Sequence, residues 1–140
     1  MGRCAILIEQ RAYKAGKGRF QITMLVTITE EGLVVQLFGG GRPHVGAIAL
    51  SIPRPGLADP GKVSCNTTVV PLLGHKDDEI AKPAAEEITK AWGSPVVVVA
   101  GVHVDNAGKK DIEELTQNCR EATMALIRDL QGLNKGPTYF

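Results

Sequence analysis

The sequence carries almost no net charge. Sixteen Lys and Arg stand against fifteen Asp and Glu in 140 residues, a balance of +1, which gives no broad field to draw in nucleic acid or an anionic membrane surface. Long apolar runs are missing as well. The longest, Pro95 to Val102, falls far short of the roughly 20 residues that cross a bilayer and reads instead as a buried strand. The apolar stretch near the N-terminus ends at Glu9, too soon for a signal-peptide core, so a cytoplasmic location is expected. Cys4, Cys65 and Cys119 are scattered, odd in number and without CxxC spacing, which suits reduced thiols rather than a disulfide frame or a zinc site. No GxSxG, HExxH or paired Cys/His signature occurs. No catalytic residue and no metal site are therefore assigned, although a catalytic triad need not be local in sequence.

What is present is the composition of an ordinary globular chain, 44% hydrophobic and 22% charged, of a length that suits one domain over residues 1–140. Ala5 to Glu9 is a short apolar run. Phe20, Ile22, Met24, Val26 and Ile28 then place apolar side chains at period two, with Gln21, Thr23, Thr27 and Thr29 on a wetter opposite face, the pattern of a half-buried strand. Between these two strands, Lys14 to Arg19 reads as a basic loop tip. Glu30-Glu31-Gly32 turns into Leu33 to Phe38, so the flanking strands should pair as a hairpin. His44 to Ile52 makes a fourth strand, Pro53 to Gly61 a Pro- and Gly-rich connection, and Val63 to Leu72 a fifth extended run.

The pattern changes at Gly74. Asp77, Asp78 and Glu79 put negative charge at a helix start, and Ile80, Ala84, Ile88 and Trp92 mark one helical face. Pro83 lies inside that segment and is expected to kink it or divide it in two. Val96 to Val102 is unbroken enough to be buried on both faces. Ile112, Leu115, Cys119, Ala122 and Leu126 mark a second helix, with Asp111 and Glu114 at capping-box spacing; Gly132 ends it and residues 134–140 form a loose tail. The expected fold is α+β: a mainly antiparallel sheet of about six strands with two main helices packed on it.

Three polar strings interrupt these elements. Gly39-Gly40-Gly41 leads through Arg42 and Pro43 to His44 and another strand, so it is neither a dinucleotide fingerprint nor a Walker loop, both of which need a following helix. Its backbone donors could still meet an anion beside Arg42, or it could simply be a wide turn. Gly74, His75 and Lys76 precede a helix, where free N–H groups favour phosphate or carboxylate, unless Asp77 and Asp78 satisfy that end themselves. His103, Asp105 and Asn106 close a buried strand, a common place for ligand contacts, or merely begin a turn. A small hydrolase or isomerase using His44, His75 or His103 stays open as a further reading.

Three strings carry a family resemblance: Gly41 to Pro55 (GRPHVGAIALSIPRP), Pro71 to Asp78 (PLLGHKDD) and Val97 to Ala107 (VVVAGVHVDNA). Together they resemble the small D-subunit family, LpdD-like, that accompanies gallate-type decarboxylases and looks like a family of prenylated-flavin chaperones. The resemblance implies a non-catalytic carrier of prenylated FMN, or of FMN itself. Such a carrier passes the cofactor from a flavin prenyltransferase to an apo UbiD-type aromatic acid decarboxylase. It also implies a fold similar to the proteasome-assembly chaperones, and a homodimer. The cofactor-binding residues expected are Gly41, Arg42, His44, Gly74, His75, Lys76, His103, Asp105 and Asn106, with Gly74, His75 and Lys76 on the phosphate and His44, His103, Asp105 and Asn106 at the flavin's polar edge. The alternative is an assembly module that stabilises a decarboxylase complex without meeting cofactor.

Overall fold

The computed structural model describes residues 8–72 and 76–133. Six strands, β1 (Ile8–Ala15), β2 (Ile22–Thr29), β3 (Gly32–Gly40), β4 (Ala47–Pro55), β5 (Val63–Pro71) and β6 (Val96–His103), and two helices, α1 (Asp78–Trp92) and α2 (Lys109–Gln131), make up the fold. The strands form one sheet in the order β1-β2-β3-β6-β4-β5. Every neighbouring pair is antiparallel except β3 and β6, which run parallel. The expected α+β class and mostly antiparallel sheet are thus what the chain adopts.

Period-two patterning decides which face of the sheet is covered. Ile22, Met24, Val26, Val35, Leu37, Val98 and Ala100 point to one side and are fully or almost fully buried. They meet Ala81, Ala85 and Ile88 of α1 and Leu115, Ala122, Leu126 and Leu130 of α2 in a single apolar cluster. Both helices lie on this face. Val97 and Val99, on the other side of β6, are therefore only half-buried, where the unbroken apolar run implied burial on both faces.

Register carries the open face across the sheet in two ladders. Thr27, Val34, Val97, Leu50 and Thr68 align in one, and Leu25, Gln36, Val99, Ile48 and Val70 in the next. Neither ladder contains a charged residue. Leu25, Val34, Ile48, Leu50 and Val70 are 39 to 55% exposed on it.

Local differences from expectation have local causes. Residues 1–7 lie outside the described residues, and β1 runs through Lys14 and Ala15 rather than yielding to a loop there, because Ala15 pairs with Ile22 and closes one end of the core. Strand β4 continues through Pro53 and Pro55, past the expected end at Ile52. It pairs with β6 only over Ala47–Ser51, so those prolines fall where one side of the strand needs no donor. Helix α1 is continuous through Pro83. The proline deprives only the Glu79 carbonyl of a helical partner, and it does so on the exposed side. At the start of α2 the cap is formed by Gly108 and Asp111, with the Gly108 N–H donating to the Asp111 carboxylate at 3.0 Å. The helix begins at Lys109, which makes Asp111 its third residue and leaves Glu114 no part in the cap.

Candidate ligand-binding cavity

Where β6 ends, the chain must turn away from the sheet and into α2, and it does so beside the N-terminus of α1. The three segments enclose a cavity of about 520 Å³. Ile80, Val102, Val104, Ala107, Ile112 and Leu115 give it an apolar body, and Lys76, His103, Asn106 and Thr116 bring polar groups to its wall, with Asp77 and Glu79 between the two sets. Asn106 makes the turn with φ +56°, a left-handed conformation that asparagine tolerates better than other side chains. A second hollow of about 220 Å³ continues along the seam between the helices and shares Glu79, Ile80 and Thr116 with the first.

The expected site residues divide into four groups. Lys76, His103 and Asn106 line the cavity. Arg42, His44 and Asp105 stand next to it: the Arg42 N–H donates to the His103 carbonyl at 3.3 Å, Asp105 Oδ1 lies 2.9 Å from His103 Nε2, and the Arg42 guanidinium is 3.8 Å from the same Asp105 oxygen. Gly41 is exposed beside Arg42, with open space around it. Gly74 and His75 lie outside the described residues.

Asp77 is the residue whose place the sequence did not disclose. Of the two alternatives for this helix end, an anion or its own Asp77 and Asp78, the Asp77 carboxylate does not supply the second, since it makes no capping bond. Oδ1 instead accepts the Val102 N–H at 2.9 Å, Oδ2 lies 2.9 Å from His44 Nε2, and the residue is 4% exposed. His44 in turn sets Nδ1 2.9 Å from the Arg42 carbonyl oxygen. One buried carboxylate thus joins the start of α1, the end of β6 and the 41–46 loop. The approach depends on glycine at two positions, since a side chain at Gly46 would overlap the Asp77 carboxylate and one at Gly101 would overlap the His44 carbonyl. The only hint in the sequence is the acidic pair Asp77-Asp78, where one carboxylate is surplus to the helix end.

The charge of Asp77 also reaches Cys119 on α2. Burial first, and that charge second, push the Cys119 thiol up to about 12, so it remains a neutral packing group behind the cavity.

The fold and the cavity together define a two-layer α+β protein with a polar-walled hollow at one end of its sheet. The family model of the prenylated flavin chaperone LpdD-like domain matches residues 16–131, and the chain belongs to that family. It is a chaperone-family protein, and no curated protein matches it. Among solved structures, it is similar in fold to a chain of a chaperone complex for yeast 20S proteasome assembly, with a TM-score of 0.60 and 13% identity over 91% of this chain and 100% of that one. Among the described residues no helix is long and apolar enough to cross a membrane.

Proposed function

We propose that this chain binds prenylated FMN in the cavity between α1, β6 and α2 and carries it, in the cytoplasm, from a flavin prenyltransferase to an apo UbiD-type aromatic acid decarboxylase. The observation that carries the reading is the cavity itself, within a chain of the prenylated flavin chaperone family: one cationic end at Lys76 and an apolar body. Its volume of about 520 Å³ falls within the range of pockets that hold cofactor-sized ligands.

The residues present fit such a ligand. Lys76, at the start of α1, offers an ammonium group to a phosphate beside a helix end that already favours anions. The aliphatic side chains of Ile80, Val102 and Leu115 suit a ring system, and His103 and Asn106 can meet its polar edge. Arg42 and Asp105 sit outside the lining, in contact with His103. His44, with both ring nitrogens engaged, takes a positioning role rather than a ligand contact. When handed on, the cofactor supplies the decarboxylase with its chemistry; this chain's part is to hold it, shield it and let it go, which calls for moderate affinity and no reacting side chain.

A homodimer belongs to the same reading. The two uncharged ladders on the open face, with Val34, Leu50 and Ile48 beside the central Val97 and Val99, offer a largely apolar surface of the kind that a second sheet covers.

Anaerobic co-expression with a flavin prenyltransferase, followed by native mass spectrometry and absorbance, tests the carrier. A bound mass of prenylated FMN is expected, reduced about tenfold in occupancy by Lys76→Ala or His103→Ala at limiting cofactor. A colourless, ligand-free protein in the presence of an active prenyltransferase removes the reading.

A further inference from the structure

We infer that the smaller hollow between the helices is the part of the site that tells prenylated FMN from FMN: Pro83 and Ala84 of α1 and Cys119 and Thr123 of α2 receive the aliphatic ring that prenylation adds. The inference rests on the reading of the larger cavity as the flavin site, and adds to it the residues that set its choice of cofactor. At about 220 Å³ the hollow falls below the range of roughly 300–1,000 Å³ in which whole ligands are held. It is an annexe of the larger cavity rather than a second site, because Glu79, Ile80 and Thr116 belong to the walls of both.

Helix geometry sets the direction. Lys76 stands just before α1, and Pro83 and Glu87 follow Glu79 by about one and two turns. The ring that prenylation adds lies on the flavin edge opposite the ribityl phosphate arm. A phosphate at Lys76 therefore directs that ring away from Lys76, the direction in which the annexe lies.

What the annexe offers is apolar. Ala84, Cys119 and Thr123 form an almost fully buried floor. Thr123 Oγ1 donates to the Cys119 carbonyl at 2.9 Å, so its hydroxyl is committed, and burial keeps the Cys119 thiol neutral. Pro83 brings ring carbons and no N–H. Among the described residues no buried side-chain nitrogen or oxygen lacks a partner, so nothing on the floor calls for a polar guest. Glu79, Glu87 and Arg120, the charged residues of the lining, are less buried than the floor, and their aliphatic stems can close over an apolar ring while the charges stay in water. Plain FMN leaves this space to water that finds few partners there, and an aliphatic ring gains affinity by replacing it.

Anaerobic titration of the full chain with prenylated FMN and with FMN, followed by native mass spectrometry, reads the ratio of the two affinities. A preference of about thirtyfold for the prenylated form is expected, the size of discrimination that added methylene groups give in an apolar pocket. Glu87→Phe fills the annexe: a helical side chain lies back over the preceding turn, here Pro83 and Ala84, and position 87 takes no part in the larger cavity. The ratio should then fall to about threefold or less. Thr123→Leu, which raises the floor from the other helix, gives the same readout should the first variant fold poorly by circular dichroism. Equal wild-type affinity for the two flavins, or a ratio that survives both substitutions, overturns the annexe and leaves the carrier reading intact. Binding of neither flavin overturns the carrier reading and the annexe with it.

Discussion

Asn118 and Phe20 lie 98 positions apart, yet the buried Asn118 amide donates from Nδ2 to the Phe20 carbonyl oxygen at 2.9 Å. The bond fastens α2 to the turn between β1 and β2. Gly16 completes the joint: it adopts φ +79°, and a side chain there would overlap the Asn118 amide. Asn118→Ala strips the carbonyl of its donor, and a loss of about 1–3 kcal/mol is expected from urea unfolding.

A second prediction concerns the tight passage beside the cavity. Gly101→Ala drives a methyl group into the His44 carbonyl, where backbone rather than a flexible side chain must yield. Destabilisation above about 3 kcal/mol, or failure to accumulate as soluble protein, is expected. Gly41→Ala meets open space and should change stability by less than about 0.5 kcal/mol. Parallel thermal melts compare the two.

Cys119 should behave as an inert thiol. Its acidity in the folded chain is weakened to about 12, above the unfolded value, so its contribution to stability is fully present below the unfolded pKa and is lost as pH rises through the folded one. Iodoacetamide at about pH 8 should leave Cys119 unmodified in the native protein and label it once urea is added. Peptide mass mapping reads both states. Half-buried Cys65 should react before Cys119.

The dimer is tested on the open face. Leu50 is 41% exposed beside the central Val97 of an uncharged ladder, so Leu50→Asp should convert a dimer to a monomer in sedimentation velocity with little change in helix or strand content by circular dichroism. A wild-type protein already monomeric at micromolar concentration would overturn the assignment.

Elements whose pattern repeats within one segment were legible in the sequence. The period-two run of Ile22 to Ile28 became β2, and the helical face of Leu115, Cys119, Ala122 and Leu126 became α2. Pairings between distant segments were not. Nothing local to Val34 or Val97 announces that they lie in parallel register. The burial of Asp77 likewise depends on Gly46, 31 positions away, which leaves room for its carboxylate, while Gly101 leaves room for the carbonyl of its partner His44. Lys76, His103 and Asn106 could be singled out because each stands where an apolar run meets a helix or strand end. Asp77 could not, because His44 and Val102, which its carboxylate joins, come from two other parts of the fold.

The place of β6 has a consequence for how the chain is made. It lies between β3 and β4 but is translated after five other strands and a helix. Until residue 103 has emerged from the ribosome, the β1–β3 meander and the β4–β5 hairpin have no strand to join them, and each presents a bare edge. Closure of the sheet is thus a long-range event, the kind that sets slow folding rates. The nascent chain is most exposed to misassociation in the interval between the synthesis of Pro71 and that of His103.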